Sequence, residues 1–237
     1  MIMHNIFLSL RINLKLMCAL VQSIDLEIEG RSLLKHQFYR LWSEGKLNLD
    51  QLKGYSLEYF QLVKAVPGLV TNILTNCTND ENLRKALNEN REEEYEHIQL
   101  WTKFAECLGI KPEHLDDHLS SEATEEAVSQ LKKLSTLSLG QGAAAMYAYE
   151  KQLPEISRSK IDGLRQFYSI DDGTEGLKYF FVHERVDIRH AALWKTIIET
   201  VSDDQAKSLL TAATDSLVAQ NKLLDSVCER YIEQARP

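Results

Sequence analysis

The run His183-Glu184-Arg185-Val186-Asp187-Ile188-Arg189-His190 sets two imidazoles and a carboxylate at a 4-then-3 spacing. At about 100° per residue on an α-helix, His183, Asp187 and His190 fall within an arc of roughly 60°. Read as one stripe of a helix from Glu175 to about Thr200, the run carries side chains typical of first-row transition-metal ligands. Upstream, Glu94-Tyr95-Glu96-His97 repeats the theme, with a Glu three residues before a His.

Outward from these two motifs the pattern stays helical. Only 10 Gly and 4 Pro punctuate 237 residues, and no stretch shows the sustained apolar–polar alternation of a half-buried strand. A first helix is expected over about 24–43, with Leu33, Leu34, Phe38, Leu41 and Trp42 on its apolar face and Gly45 at its end. Asp50 caps a second helix into the mid-70s, with Pro67 as a kink. Asn79 or Asp80 starts a third, which carries Glu94, His97 and Trp101 and stops at Gly109. A short helix follows Pro112, then an exposed helix over 122–134. Gly140 to Tyr168 opens with small residues that permit close helix approach; it holds Glu150 and is bent or broken at Pro154. A last helix runs from near Ser202 to near Gln234. Seven or eight such helices predict an all-α bundle.

Glu94, Glu150 and Asp187 would each cost several kcal/mol to bury without cations, and a pair of divalent ions offsets that charge. Three carboxylates and the imidazoles of His97, His183 and His190 match the inventory of carboxylate-bridged dimetal sites in helical bundles. Hard oxygen and imidazole donors suit iron or manganese. Glu92, Glu93, Glu94 and Glu96 also read as a solvated acidic face.

Length, charge and cysteines bound the remaining choices. The chain predicts one domain over residues 23–237 behind an N-terminal extension, residues 1–22. With 27 Lys plus Arg against 35 Asp plus Glu, the net charge is -8, which argues against a nucleic-acid partner. Cys18, Cys77, Cys107 and Cys228 form no C-x-x-C pair, which points to reduced thiols in a cytoplasmic setting and away from a zinc cluster. Ile6 to Val21 is apolar but interrupted by Arg11 and Lys15, too short and too charged for a transmembrane segment. It reads as an amphipathic segment covering the domain, as sequence upstream of the true start, or as a weak targeting segment.

Several blocks together carry a family resemblance. They are Phe38-Tyr39-Arg40-Leu41-Trp42, Glu94 to Trp101, Tyr147-Ala148-Tyr149-Glu150 with Gln152-Leu153-Pro154, Lys160-Ile161-Asp162-Gly163-Leu164 and His183 to His190. Their ordered combination, over roughly Ile24 to Thr200, resembles the family of chlamydial proteins associating with death domains, within the TenA and PqqC superfamily. The resemblance implies the haem-oxygenase-like helical fold and a dinuclear site with metal ligands Glu94, His97, Glu150, His183, Asp187 and His190. It also implies an activity: dioxygen-dependent formation of para-aminobenzoate for folate, with one of the protein's own tyrosines consumed as the ring source. Matched by position, that tyrosine is Tyr39, Lys160 is the amino-group donor, and Tyr55 is a second tyrosine near the site. The metals would be two irons or an iron and a manganese, used with dioxygen and an unknown reductant.

In the family the first Glu and its His stand further apart than Glu94 and His97 do, so Glu93 or Asn90 could hold the equivalent place. A dimetal oxygenase acting on an external small molecule, a cofactor-free superfamily enzyme and a module engaging a host death-domain protein remain as alternatives. A homodimer and secretion into a host cell are left open by the sequence.

Overall fold

Helices in this chain begin where a side chain can accept from otherwise unpaired backbone N–H groups. Asn48 forms a reciprocal capping box with Gln51 and opens α3, Leu49–Thr75, if α1 denotes the helix over residues 19–30 and α2 the short helix Gln37–Ser43. Asp80 opens α4, Glu81–Cys107, by accepting from the Leu83 N–H. Ser121 does the same for α6, Glu122–Ser135, and Ser138 for α7, Leu139–Glu150. The remaining helices are α5 (Pro112–Asp116), α8 (Leu153–Phe167), α9 (Lys178–Ile198) and α10 (Ala206–Val227), continued by a π-helical turn, Cys228–Glu233. This computed structural model describes residues 19–171 and 173–233, and no strand occurs among them. The expected N-terminal extension lies outside the described residues as far as residue 18, and α1 crosses the boundary expected after residue 22.

One expected helix is divided, and another breaks close to Pro154, where a bend or break was expected. The stretch over 24–43 breaks because Ser32 and His36 adopt extended backbone around a 3₁₀ turn, Leu33–Lys35; the His36 imidazole then caps α2 by accepting from the Phe38 N–H. The stretch over 140–168 breaks at Lys151 and Gln152, and Pro154 falls in the first turn of α8, where its missing N–H costs nothing. By contrast, α3 runs unbroken through Pro67.

The layers that position the site are α3 against α4, α9 between α7 and α8, and α10 behind α7. Gly140, Gly142 and Ala143 to Ala145 are buried and let α7 sit close to its neighbours: a Cβ on Gly142 would come within 2.6 Å of Ile73. Among the described residues no helix is long and apolar enough to cross a membrane.

A buried ion cluster ties the far end of the bundle. The Glu58 carboxylate on α3 is fully buried; it accepts from Arg230 Nη1 (2.6 Å), the Ser121 N–H (3.1 Å) and His118 Nε2 (3.0 Å). Burial alone would push its pKa up, but hydrogen bonds led by that of His118 outweigh burial and hold it at about 2. A carboxylate depressed from 4.5 to about 2 contributes stability that is complete above pH 4.5 and lost as pH falls towards 2, a total of about 3 kcal/mol. Glu58→Gln is therefore expected to lower stability by about that amount at pH 7 and to flatten the decline between pH 4.5 and 2. Denaturant titrations across that range measure both.

Candidate metal centre

α4 presents Glu94 and His97, α7 ends on Glu150, and α9 presents His183, Asp187 and His190; all six side chains are buried. Five of them converge as two groups that share Glu94, and Glu150 lies beside the second. Ligand atoms of Glu94, His97 and His183 lie within 4.8 Å of one another, and so do those of Glu94, Asp187 and His190. Glu94 Oε2 is 3.0 Å from His97 Nδ1, and Oε1 is 3.3 Å from His190 Nδ1. Glu150 Oε2 lies 3.8 Å from His190 Nδ1 and accepts from the Trp194 indole at 2.6 Å. His183 Nδ1 donates to the Tyr179 carbonyl at 2.7 Å, which leaves Nε2 for the centre.

Several donor atoms here have no partner within the protein. Glu150 Oε1, both oxygens of Asp187 and His190 Nδ1 are buried without a hydrogen bond. The electrostatics of the cluster point to the same need for positive charge. Burial pushes the Glu150 carboxyl up to about 8, and burial with the charges of Glu150 and Glu94 pushes Asp187 well up. His190 is drawn up to about 9 against burial by Glu94 and Glu150, whereas burial and His97 push His183 down to about 3. Divalent cations would take the place of the protons this cluster otherwise retains. The residues fit a dimetal site, and a donor set of carboxylates and imidazoles without thiolate suits iron or manganese.

Of the three candidates for the first carboxylate position, Glu94 alone belongs to both groups. Glu93 is partly exposed and bonds the outer nitrogen of His190, while Asn90 is buried with its amide unpartnered.

A second cluster lies beside the centre. Lys160 on α8 is buried rather than solvated, and its amine donates to the Tyr55 hydroxyl. Around its Nζ stand the rings of Tyr55 (4.8 Å), Tyr59 (5.0 Å), Phe180 (5.2 Å) and Tyr39 (5.4 Å). Burial pushes the Lys160 amine well down, and no ion pair to it occurs among the described residues. Burial and the nearby Tyr59 push the Tyr39 hydroxyl well up, opposed by a hydrogen bond with Tyr55, so the phenol stays protonated.

Tyr59 joins the two clusters, and the sequence reading passed over it. Its ring faces Lys160, its hydroxyl is 3.2 Å from that of Tyr149, and its pKa is pushed up by burial first and then by Asp187 and Glu94. The available signal was its place one helical turn after Tyr55. Trp194 was missed likewise, although it lies one turn beyond His190 on the ligand stripe.

Comparison with known proteins agrees with this architecture. Over 211 residues the chain is 36% identical to a 4-aminobenzoate synthase of Chlamydia trachomatis, covering 87% of this chain and 90% of the relative. It is 32% identical over 225 residues to a 4-aminobenzoate synthase of Nitrosomonas europaea, covering 89% and 91%. A TenA homologue from Pseudomonas syringae superposes with a TM-score of 0.79 at 18% identity, over 89% of this chain and 93% of the other. A domain of unknown function from Shewanella denitrificans, described as having a haem-oxygenase-like fold, gives 0.74 at 17% identity over 92% of each chain. The fold is thus haem-oxygenase-like, and residues 25–230 match one family throughout. The chain belongs to the TENA/THI-4/PQQC family.

Proposed function

We propose that this protein forms 4-aminobenzoate with Tyr39 as the source of the ring and Lys160 as the source of the amino nitrogen. Relatives named 4-aminobenzoate synthase, 32 to 36% identical over most of the chain, support the product. The observation that carries the amino-donor assignment is Lys160, an amine with no acidic partner among the described residues, buried among the rings of Tyr55, Tyr59 and Tyr39, of which the family resemblance singles out Tyr39.

Converting a tyrosine side chain to 4-aminobenzoate exchanges the phenol oxygen for nitrogen released from Lys160 by cleavage of its Cε–Nζ bond, oxidises Cβ to a carboxylate with dioxygen as oxidant and breaks the Cα–Cβ bond. Two divalent metals, iron with iron or manganese, held by Glu94, His97, Glu150, His183, Asp187 and His190, would supply redox chemistry with dioxygen, with a reductant restoring the electrons. The chain's own groups bring the reactants together. Burial favours Lys160 as the free amine, whose lone pair is required for C–N bond formation, and Tyr55 holds that amine by its hydroxyl. Phe38 and Trp42 pack about the Tyr39–Tyr55 pair, which keeps ring and amine in register and excludes water. The space around Lys160 is filled by resident side chains, which favours a resident ring over an external substrate.

The test is to load metal-free protein anaerobically with Fe(II), with and without Mn(II), then admit oxygen and a reductant. At most one equivalent of 4-aminobenzoate is expected, with mass changes confined to the peptides containing Tyr39 and Lys160. Metal uptake and oxygen consumption without product or lesion would overturn the proposal.

A further inference from the structure

We propose that Glu93 is a positioning residue of this centre: it holds His190 as an inward-facing Nδ1 donor and thereby secures the ion at the Glu94, Asp187 and His190 position. The inference rests on the dimetal reading and extends it to a side chain outside the ligand set.

Consecutive glutamates on α4 grip the two nitrogens of one imidazole. Glu93 Oε2 lies 2.7 Å from His190 Nε2, while Glu94 Oε1 lies 3.3 Å from Nδ1. A carboxylate can only accept, so the bond to Glu93 keeps a proton on Nε2 and leaves Nδ1 as the free donor. That nitrogen faces Asp187 Oδ1 at 3.6 Å and Glu150 Oε2 at 3.8 Å as well. A lone pair among three carboxylates is repelled on every side unless a proton or a metal ion stands between them. Glu93 is itself held from outside, because Arg189 Nη2 donates to both of its oxygens at 2.8 and 2.7 Å. The ring is thus fixed by a chain of charges that runs from the surface to the centre.

The other group is supported differently. The hydrogen-bond partner of His183 Nδ1 among the described residues is the neutral carbonyl of Tyr179. An ionised carboxylate behind an imidazole raises its basicity more than a carbonyl does, and losing such a partner typically costs 10–100-fold in metal affinity. The two positions should therefore respond unequally to one substitution.

Mn(II) titration of the metal-free protein, with chelator competition and electron paramagnetic resonance, separates them. The unmodified protein is expected to bind two ions and to show a coupled pair. Glu93→Ala should retain one ion, weaken the second about 10–100-fold and replace the pair signal with that of isolated Mn(II). Glu93→Gln, which still offers an acceptor to Nε2, should recover part of the loss, and all three metal-free proteins should remain folded by far-ultraviolet circular dichroism. Equal weakening of both ions, or of neither, would overturn the role of Glu93. Failure of the unmodified protein to bind two ions would instead overturn the dimetal reading, and this inference with it.

Discussion

Lys160→Met is expected to abolish 4-aminobenzoate formation while raising the melting temperature of the protein. The two effects have one origin. Lys160 is 2% exposed and enclosed by aromatic rings, so its charged form is disfavoured by burial with no carboxylate to offset it. A lysine whose folded pKa is depressed costs stability at every pH below its unfolded value of about 10.4, including neutral pH. Methionine has similar length, no charge to desolvate and favourable contacts with rings. Replacement should return about 1–3 kcal/mol, or roughly 2–10 °C in Tm for a chain of this size. Metal uptake should be unchanged, since Lys160 is in neither ligand group. A protein that melts higher, binds metal and yields no product identifies Lys160 as a reactant, whereas product at the unmodified level removes it from the chemistry.

Gly163→Ala is expected to lower Tm by about 2–10 °C and to reduce product yield at least tenfold. A Cβ at Gly163 would lie 2.5 Å from Trp42 Nε1 and 2.7 Å from its Cδ1. The indole is a poor candidate for retreat: it is fully buried, packs on Phe38, Tyr55 and Tyr168, and donates to the Lys160 carbonyl at 3.4 Å. The strain must pass into α2, which carries Tyr39, or into α8, which carries Lys160. The clash should cost about 1–3 kcal/mol, and a shift of 1 Å between ring and amine can remove two orders of magnitude in rate. Gly68→Ala serves as the control, since nothing lies within 4 Å of the added methyl group; it should stabilise α3 by about 0.5–1 kcal/mol. Differential scanning calorimetry with the product assay checks both variants.

The parts of this protein that were legible in its sequence are those governed by helical period. The 4-then-3 spacing on α9 and the Glu-x-x-His on α4 place side chains one or two turns apart, a local property. The structure brings Glu94, His97, His183, Asp187 and His190 into two overlapping groups, with Glu150 beside them. Helix breaks were read less well, because nothing in the composition of 31–36 signals the extended backbone at Ser32 and His36. The choice among Asn90, Glu93 and Glu94 was also hidden. It depends on how α4 is rotated against α9, a tertiary contact that no residue in the run of glutamates encodes by itself. Tyr59 shows the same gap: a tyrosine on an apolar face looks like any other until the partners of its hydroxyl are known.

Tyr39 is nearly inaccessible to solvent and rests edge-on against Phe38 with their centroids 5.4 Å apart. On the proposed reading, a ring used as reagent is also a ring removed from the interior. Emptying a site of that size typically costs about 3–5 kcal/mol, a large share of the 5–15 kcal/mol that holds a typical domain folded. Each spent molecule would open more often than its unspent neighbours and be cleared first by proteases. Supply of the product would then be set by the rate of protein synthesis, with the void left behind acting as the mark that retires the used chain.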